Sequence, residues 1–278
     1  NCWINKDEAW NNFARFAKST EDAMREREVC VTWTQETKEG AIRKMEQAKS
    51  TMPEMVYAQE YLGIAMLDMS RFFSNELIEK CCILERRGMI IPGRRTYGGS
   101  DISGMGEDLT TIEIIEKQDK DILIHLDNIV SNRVYTTDTS DKIIFLHEKY
   151  RFKAYGVDSN GVGFGVFSEL LRDRRTKDIA KDIYAQKRPL DADGEHSKTI
   201  LKEQMYFRLL AWLEKGKIRL LKDQSVIESL KSIQFKLILE PGRPTRHEIS
   251  GNDAHIVEGL IIAVWLATED QSLNFFVR

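Results

Sequence analysis

Three stretches of the chain place acidic side chains where they could hold a hard cation. The first contains Asp101, in Tyr97-Gly-Gly-Ser-Asp-Ile-Ser-Gly-Met-Gly-Glu-Asp, an acid expected at the end of a short strand and ahead of a loop. The second contains Asp158, in Ala154-Tyr-Gly-Val-Asp-Ser-Asn-Gly-Val-Gly-Phe-Gly-Val, where an apolar strand ends in an acid and a Gly-rich turn leads into a helix. Ligands of open α/β sheets bind at the carboxyl ends of strands. Taken singly, Asp101 also reads as a turn residue, because Asp and Gly recur in turns for backbone reasons. The third is Gly251-Asn-Asp-Ala-His-Ile-Val-Glu-Gly-Leu-Ile-Ile-Ala-Val-Trp-Leu-Ala. From Ile256 it is apolar nearly all round, which predicts a buried helix. Glu258 is costly there unless it is paired, hydrogen-bonded or bound to a metal. His255, three residues earlier, shares its face. Asp253 is either an N-cap or a further ligand.

Carboxylates brought together repel one another unless a cation neutralises them. Oxygen donors of this kind suit Mg²⁺ or Mn²⁺ better than zinc. Two such ions can clamp a phosphodiester, one activating the attacking water and the other stabilising the leaving 3′ oxygen. Asp101, Asp158, Asp253 and Glu258 are the expected metal ligands, and His255 is a ligand, an orienting group or a proton carrier. The Gly-rich turn after Asp158 is no phosphate-cradling P-loop, since it lacks Lys-Ser/Thr and carries an acid where an anion would be repelled.

The elements that must position these groups begin near residue 94. Leu109–Glu116 and Asp121–Val130 read as strands joined by the turn Lys117-Gln-Asp-Lys, followed by a helix over Asp141–Tyr150, a strand over Ala154–Asp158 and a helix through Phe167–Leu171. With the strand before Asp101 the order is β-β-β-α-β-α. An amphipathic helix is expected over Lys198–Glu214, a short strand over Lys217–Leu221, a hairpin over Phe235–Arg246 turning at Pro241-Gly242, and the final helix over Asn252–Ala267. Upstream, an apolar stripe from Ala9 to Ala17, a strand from Cys30 to Thr34, a helix over Glu36–Ser50 and a further helix starting at Pro53 form a mainly helical extension. Pro92-Gly-Arg-Arg marks the junction, so that residues 1–93 and 94–278 are the two expected parts.

Composition sets outer bounds. The 278 residues carry a formal charge of −3, which argues against a generally basic nucleic-acid binder, although Glu169–Arg219 holds 13 Lys and Arg against 9 Asp and Glu. Arg172, Arg174, Arg175, Lys187, Arg188, Lys198 and Lys202 are the candidate phosphate contacts, each equally readable as a solvated surface charge. The longest apolar run, Ile256–Ala267, contains Glu258 and is too short to cross a bilayer, so no membrane partner is expected. The four cysteines, Cys2, Cys30, Cys81 and Cys82, make no zinc pattern and fit a reducing, cytoplasmic setting. A chain opening on Asn is expected to be a piece of a longer protein.

An acid on the first strand, one at the end of the fourth and one on the final helix resemble the RNase H-like nuclease plan. Gly98–Ile115 with its Asp108-Leu-Thr-Thr, the turn Gly156-Val-Asp-Ser-Asn-Gly-Val-Gly, and His255-Ile-Val-Glu-Gly-Leu are similar to the nuclease domain of large viral terminases. Tyr57-Ala-Gln-Glu-Tyr-Leu-Gly with Arg71-Phe-Phe resembles the end of the terminase ATPase region. The resemblance implies an α/β fold, with a mixed five-stranded sheet flanked by helices and the helical extension ahead of it. It also implies a metal-dependent endonuclease that cuts concatemeric double-stranded DNA. Portal and small terminase subunit would be partners of the full-length protein, working in the host cytoplasm and transiently on the procapsid. The third acid departs from the pattern: similar proteins show His-x-x-Asp or paired Asp, whereas here Asp253 precedes His255 and Glu stands at 258. Neither G-x-x-x-x-G-K-[ST] nor an acidic Walker B strand occurs, so ATP hydrolysis is assigned elsewhere. Rival readings are a RuvC-like Holliday-junction resolvase, a non-catalytic portal-binding module and a nucleotide-binding relative of the same fold.

Overall fold

The computed structural model describes residues 43, 46–50, 53, 54, 57, 70–87, 91, 93–105, 108–118, 122–189, 200–238 and 246–268. The chain divides into one unit of residues 1–68 with 275–278, and a second of residues 69–274. In the first, the described residues from 46 to 50, with 54 and 57, are helical, and the Tyr57 amide donates to the Pro53 carbonyl as the expected first turn requires. The apolar stripe from Ala9 and the strand at Cys30–Thr34 lie outside the described residues.

The second unit begins well before the junction expected at residues 92–95. Strand β1 (Ser70–Arg71) leads into Phe72 and Phe73, then helix α1 (Asn75–Cys81), whose Ser74 side chain caps the Leu77 amide, and strand β2 (Cys82–Leu84). Phe72 and Phe73 are fully buried, and Phe72 packs edge-on to Tyr206 with centroids 5.8 Å apart and against Phe235 at 6.1 Å. Two buried aromatic rings explain why residues 70–84 fold as part of the second unit. The linker beyond them is pinned by charge. Arg87 and Arg94 reach the buried Glu116 at 2.9 and 2.7 Å, and hold its carboxyl below the usual range against the opposing effect of burial.

The principal elements are β3 (Arg95–Asp101), β4 (Leu109–Lys117), β5 (Leu123–Asn132), α2 (Thr136–Tyr150), β6 (Phe152–Val157), α3 (Gly163–Arg172), β7 (Ala180–Asp182), α4 (Leu201–Glu214), β8 (Ile218–Leu221), α5 (Gln224–Ser232), β9 (Gln234–Ile238), β10 (Arg246–Ser250) and α6 (His255–Thr268). The larger sheet has the order β2-β8-β5-β4-β3-β6-β7. Its core, β5-β4-β3-β6-β7, is a five-stranded mixed sheet of the expected kind, although β7 had no counterpart among the expected strands and the one expected over Lys217–Leu221 is β8. Two short parallel strands, β8 and β2, extend it to seven beyond β5. Only β4 is antiparallel to its neighbours, so the carboxyl ends of the other strands share one edge. A separate antiparallel sheet joins β1, β9 and β10; the hairpin expected over 235–246 is β9–β10, with Pro241-Gly242 outside the described residues.

Helices cover both faces of the large sheet, which is why β4 is buried at nearly every position rather than at alternate ones. On one face α2 and α3 bury Ile143, Val166 and Leu170 against Ile112, Ile114, Tyr155 and Val157. On the other lies α6, backed by α4 and α5. Between α6 and the sheet, Glu113 is fully buried, accepting from Asn128 at 2.7 Å and bonded to His125 at 2.8 Å. Helix α4 ends in a Schellman turn: Gly216 (φ 62°) donates to Leu213 and Lys217 to Trp212. No helix among the described residues is long and apolar enough to cross a membrane.

Candidate metal centre

Asp101 and Asp158 meet because their strands are parallel neighbours in register, with Gly99 opposite Gly156 and Ser100 opposite Val157. Strand side chains alternate between faces, so each acid lies on the face of the glycine two residues before it. That is the face on which α6 sits. A Cβ at Gly99 would lie 2.5 Å from Ala263 N, and one at Gly259 3.0 Å from Glu113 Cγ and from Thr111 Oγ1. Missing side chains on both sides let the helix rest on the strands and bring His255 and Glu258 to the acids.

The amino end of α6 is held from outside the helix. Buried Ser229 of α5 donates to the Asp253 carbonyl at 2.6 Å and accepts from the Val257 amide at 3.3 Å, satisfying a donor that the helix itself leaves unpaired. The Glu258 amide donates to Ala254, so Ala254 occupies the capping position and Asp253 lies one residue outside. Asp253 therefore contributes its main chain to this junction.

His255 Nδ1 lies 2.9 Å from Asp101 Oδ2, and Nε2 lies 3.8 Å from Asp108 Oδ1. The bond to Asp101, reinforced by the charges of Asp108 and Glu258, raises the imidazole above its ordinary value against the effect of burial. Glu258 pairs with Lys202 at 2.6 Å and accepts from the Tyr206 hydroxyl at 3.3 Å. Burial raises the Glu258 carboxyl, as does the negative charge of Asp101, with Lys202 and Tyr206 opposing. Asp158 is likewise raised by burial and by Asp101, against hydrogen bonds from the amides of Asn160 and Ala185 and the charge of Lys202. Asp101, Asp158 and Glu258 thus share one electrostatic neighbourhood.

This all-oxygen donor set fits a hard divalent cation chemically. In the arrangement observed, Lys202 pairs with Glu258 and His255 is bonded to Asp101, and no three His, Cys, Asp or Glu side chains among the described residues are grouped closely enough to hold an ion. Asp108 and Tyr206 were not among the expected site residues. Their signals were the turn preceding Leu109 and the i, i+4 spacing of Lys202 and Tyr206 on α4.

The expected phosphate contacts divide. Lys202 points into the acids. Arg175 is bound by Asp173 and Glu148, both at 2.7 Å, and Arg172 by Glu169 at 3.0 Å. Arg174, Lys187 and Arg188 are exposed beyond α3 and ahead of α4, and Lys198 lies outside the described residues.

No protein-family profile matches the chain, and no curated protein sequence does. Solved structures share its fold. The large terminase nuclease of thermophilic phage G20c, solved with bound magnesium, superposes with a TM-score of 0.52 at 19% identity, over 72% of this chain and 98% of that one. The large terminase nuclease domain of Thermus phage P74-26 gives 0.51 at 18% identity, over 70% and 94%. A variant nuclease domain of the large terminase subunit of bacterial virus Sf6, solved with manganese and beta-thujaplicinol, gives 0.50 at 14% identity, over 70% and 98%. The α/β fold expected from the sequence is the fold of these terminase nuclease domains.

Proposed function

We propose that this chain carries a metal-dependent DNA endonuclease of a viral genome-packaging terminase, with residues 69–274 as the nuclease unit. One observation carries the reading: Asp101 and Asp158 end neighbouring parallel strands beneath a helix that brings His255 and Glu258 to the same edge. The G20c and Sf6 neighbours, solved with magnesium and with manganese, support assigning Mg²⁺ or Mn²⁺ to it.

Asp101 and Asp158 would hold the cation, with Glu258 as the third donor once Lys202 releases it and Asp253 as the alternative. Ions bound there supply an electrophile for the phosphodiester and a more acidic water. His255, with Nδ1 against Asp101 and Nε2 facing Asp108, is placed to give or take a proton at a reacting oxygen. Lys202, freed from Glu258, is left to pair with a phosphate oxygen. Double-stranded DNA is the substrate, gripped through its backbone because a packaging enzyme must handle any sequence. In the full-length protein the portal and small terminase subunit are the partners, in the host cytoplasm and transiently on the procapsid.

The test is plasmid cleavage without ATP in EDTA, Mg²⁺ or Mn²⁺, beside folded Asp101→Ala and Asp158→Ala variants. Metal-dependent cutting abolished in both is the expected result. A second reading is a non-catalytic packaging module, in which the Lys202–Glu258 pair and the His255–Asp101 bond merely satisfy the acids. Wild-type protein that never cuts would favour that reading, and variants that cut equally would remove Asp101 and Asp158 from the cutting.

A further inference from the structure

The edge of the sheet that carries the acids also carries an apolar rim. Met105, Tyr135, Val162 and Phe164 leave 55%, 63%, 45% and 61% of their surface exposed. They belong to one place. Gly163 packs directly on the Asp158 carbonyl, which sets Val162 and Phe164 on either side of that contact. Gly104, at φ +66°, brings the loop after Asp101 against Val162: a Cβ there would lie 2.9 Å from Val162 Cγ1. On the far side of Phe164, a Cβ at Gly165 would lie 3.8 Å from Thr136, the residue after Tyr135 at the start of α2. Val166 and Leu170 anchor the helix that carries Phe164 in the core.

Val162 and Phe164 follow Asp158 by four and six residues, at the sheet edge that carries the acids, where a bound phosphodiester strand can meet them. Arg172 and Arg175 lie at and beyond the carboxyl end of α3, away from Phe164 at its start, and are engaged by Glu169, Asp173 and Glu148, with Arg174 exposed between them. What the protein presents at the start of α3 is apolar and aromatic surface, which complements the faces of bases. Apolar side chains inserted at a base step unstack and kink a duplex, and bases stack on exposed aromatic rings whatever their sequence.

The geometry points to Phe164, with Val162 beside it, as a wedge that takes up a base unstacked next to the scissile phosphodiester. The substrate is then duplex DNA distorted at the cut, rather than an intact B-form helix. This inference rests on the nuclease reading above, and the experiment separates the two.

A duplex carrying 2-aminopurine at successive positions is bound by the wild-type chain in EDTA and again in Ca²⁺, with fluorescence reporting unstacking and anisotropy reporting binding. Cleavage in Mg²⁺ is compared on the same duplex and on one with a short mismatched bubble. The wild-type chain is expected to raise the fluorescence at one or two positions. Phe164→Ser is expected to abolish that rise and to slow cutting of the paired duplex by about tenfold or more, given the strength of base–aromatic stacking. On the bubble the variant should cut at nearly the wild-type rate, and Phe164→Trp should retain both properties. Position 164 is exposed, so an unchanged melting temperature verifies the fold. Wild-type protein that binds without unstacking, or a Phe164→Ser defect that the bubble does not relieve, overturns the wedge, as does failure to bind the duplex at all. Unstacking without cleavage in any metal would overturn the nuclease reading and leave the wedge standing.

Discussion

Replacing Gly99 by alanine should separate the acids from the helix that completes their site. A Cβ at this position would lie 2.5 Å from Ala263 N and 3.0 Å from Ile262 Cβ, with the Gly259 carbonyl closer still. Comfortable heavy-atom contacts are about 3.5–4.0 Å, so α6 must retreat by about 1 Å. Forcing an extra carbon into packed structure costs about 1–3 kcal/mol. With a urea slope of about 2 kcal/mol per molar, the unfolding midpoint should fall by roughly 0.5–1.5 M. The functional loss should be larger than the stability loss implies. Since α6 carries His255 and Glu258, the displacement moves both from Asp101, and a misplacement of about 1 Å can cost about a hundredfold in rate. Gly216→Ala is the control: Gly216 adopts φ +62° with nothing within 4 Å of an added Cβ, so the variant incurs about 1–2 kcal/mol of backbone strain without moving α6. Urea denaturation and initial rates of plasmid cutting in Mg²⁺ check both variants. If Gly99→Ala cuts within about twofold of wild type while losing as much stability as Gly216→Ala, α6 does not set the geometry of the acids.

Two buried polar groups give further expected outcomes. Ser229→Ala leaves the Asp253 carbonyl and the Val257 amide without their partner, and should destabilise by about 1–3 kcal/mol in urea; a change below about 0.5 kcal/mol would show that other groups replace it. Glu113 makes a pH prediction. Burial raises its carboxyl above 4.5, more than its bonds to His125 and Asn128 lower it, so the folded protein holds this proton more tightly than the unfolded chain. Its contribution is complete below about pH 4.5 and is lost as pH rises through the folded value. The stability of wild type relative to Glu113→Gln should therefore fall as pH rises from that point, read from paired urea midpoints; a flat or rising difference would contradict the assignment.

The parts of this fold that were legible are those whose side chains obey one period or sit at a chain-wide anomaly. Asp158 and Glu258 stood out because each closes or interrupts an apolar run, and Asp101 because it ends a short strand ahead of a loop. What stayed hidden depends on pairing. β2 and β7 are three residues long and show no alternation, so only their neighbours define them as strands. Nothing in the sequence sets Glu113 apart within its strand, although helices on both faces bury that strand at nearly every position. Arg175 read as a free cation until Glu148, 27 residues away, was placed beside it. Lys202 appeared among the phosphate contacts, yet its observed partner is Glu258 on another helix.

A rule for the site does lie in the chain, and it concerns glycine rather than acid. Asp101 follows Gly99 by two residues, Asp158 follows Gly156 by two, and Glu258 precedes Gly259. In a strand, positions i and i+2 share a face, so a glycine two residues before an acid marks a face left open just short of it. Such an opening lets another backbone approach closely, and a helix bearing its own glycine can fill it. Gly99 meets Gly259, while Gly156 accommodates Ile262 and Leu266 one and two turns further along α6. An acid next to an isolated turn glycine has no such partner. The two strand glycines paired in register, and the one on the final helix, distinguish acids that converge from acids that merely end strands.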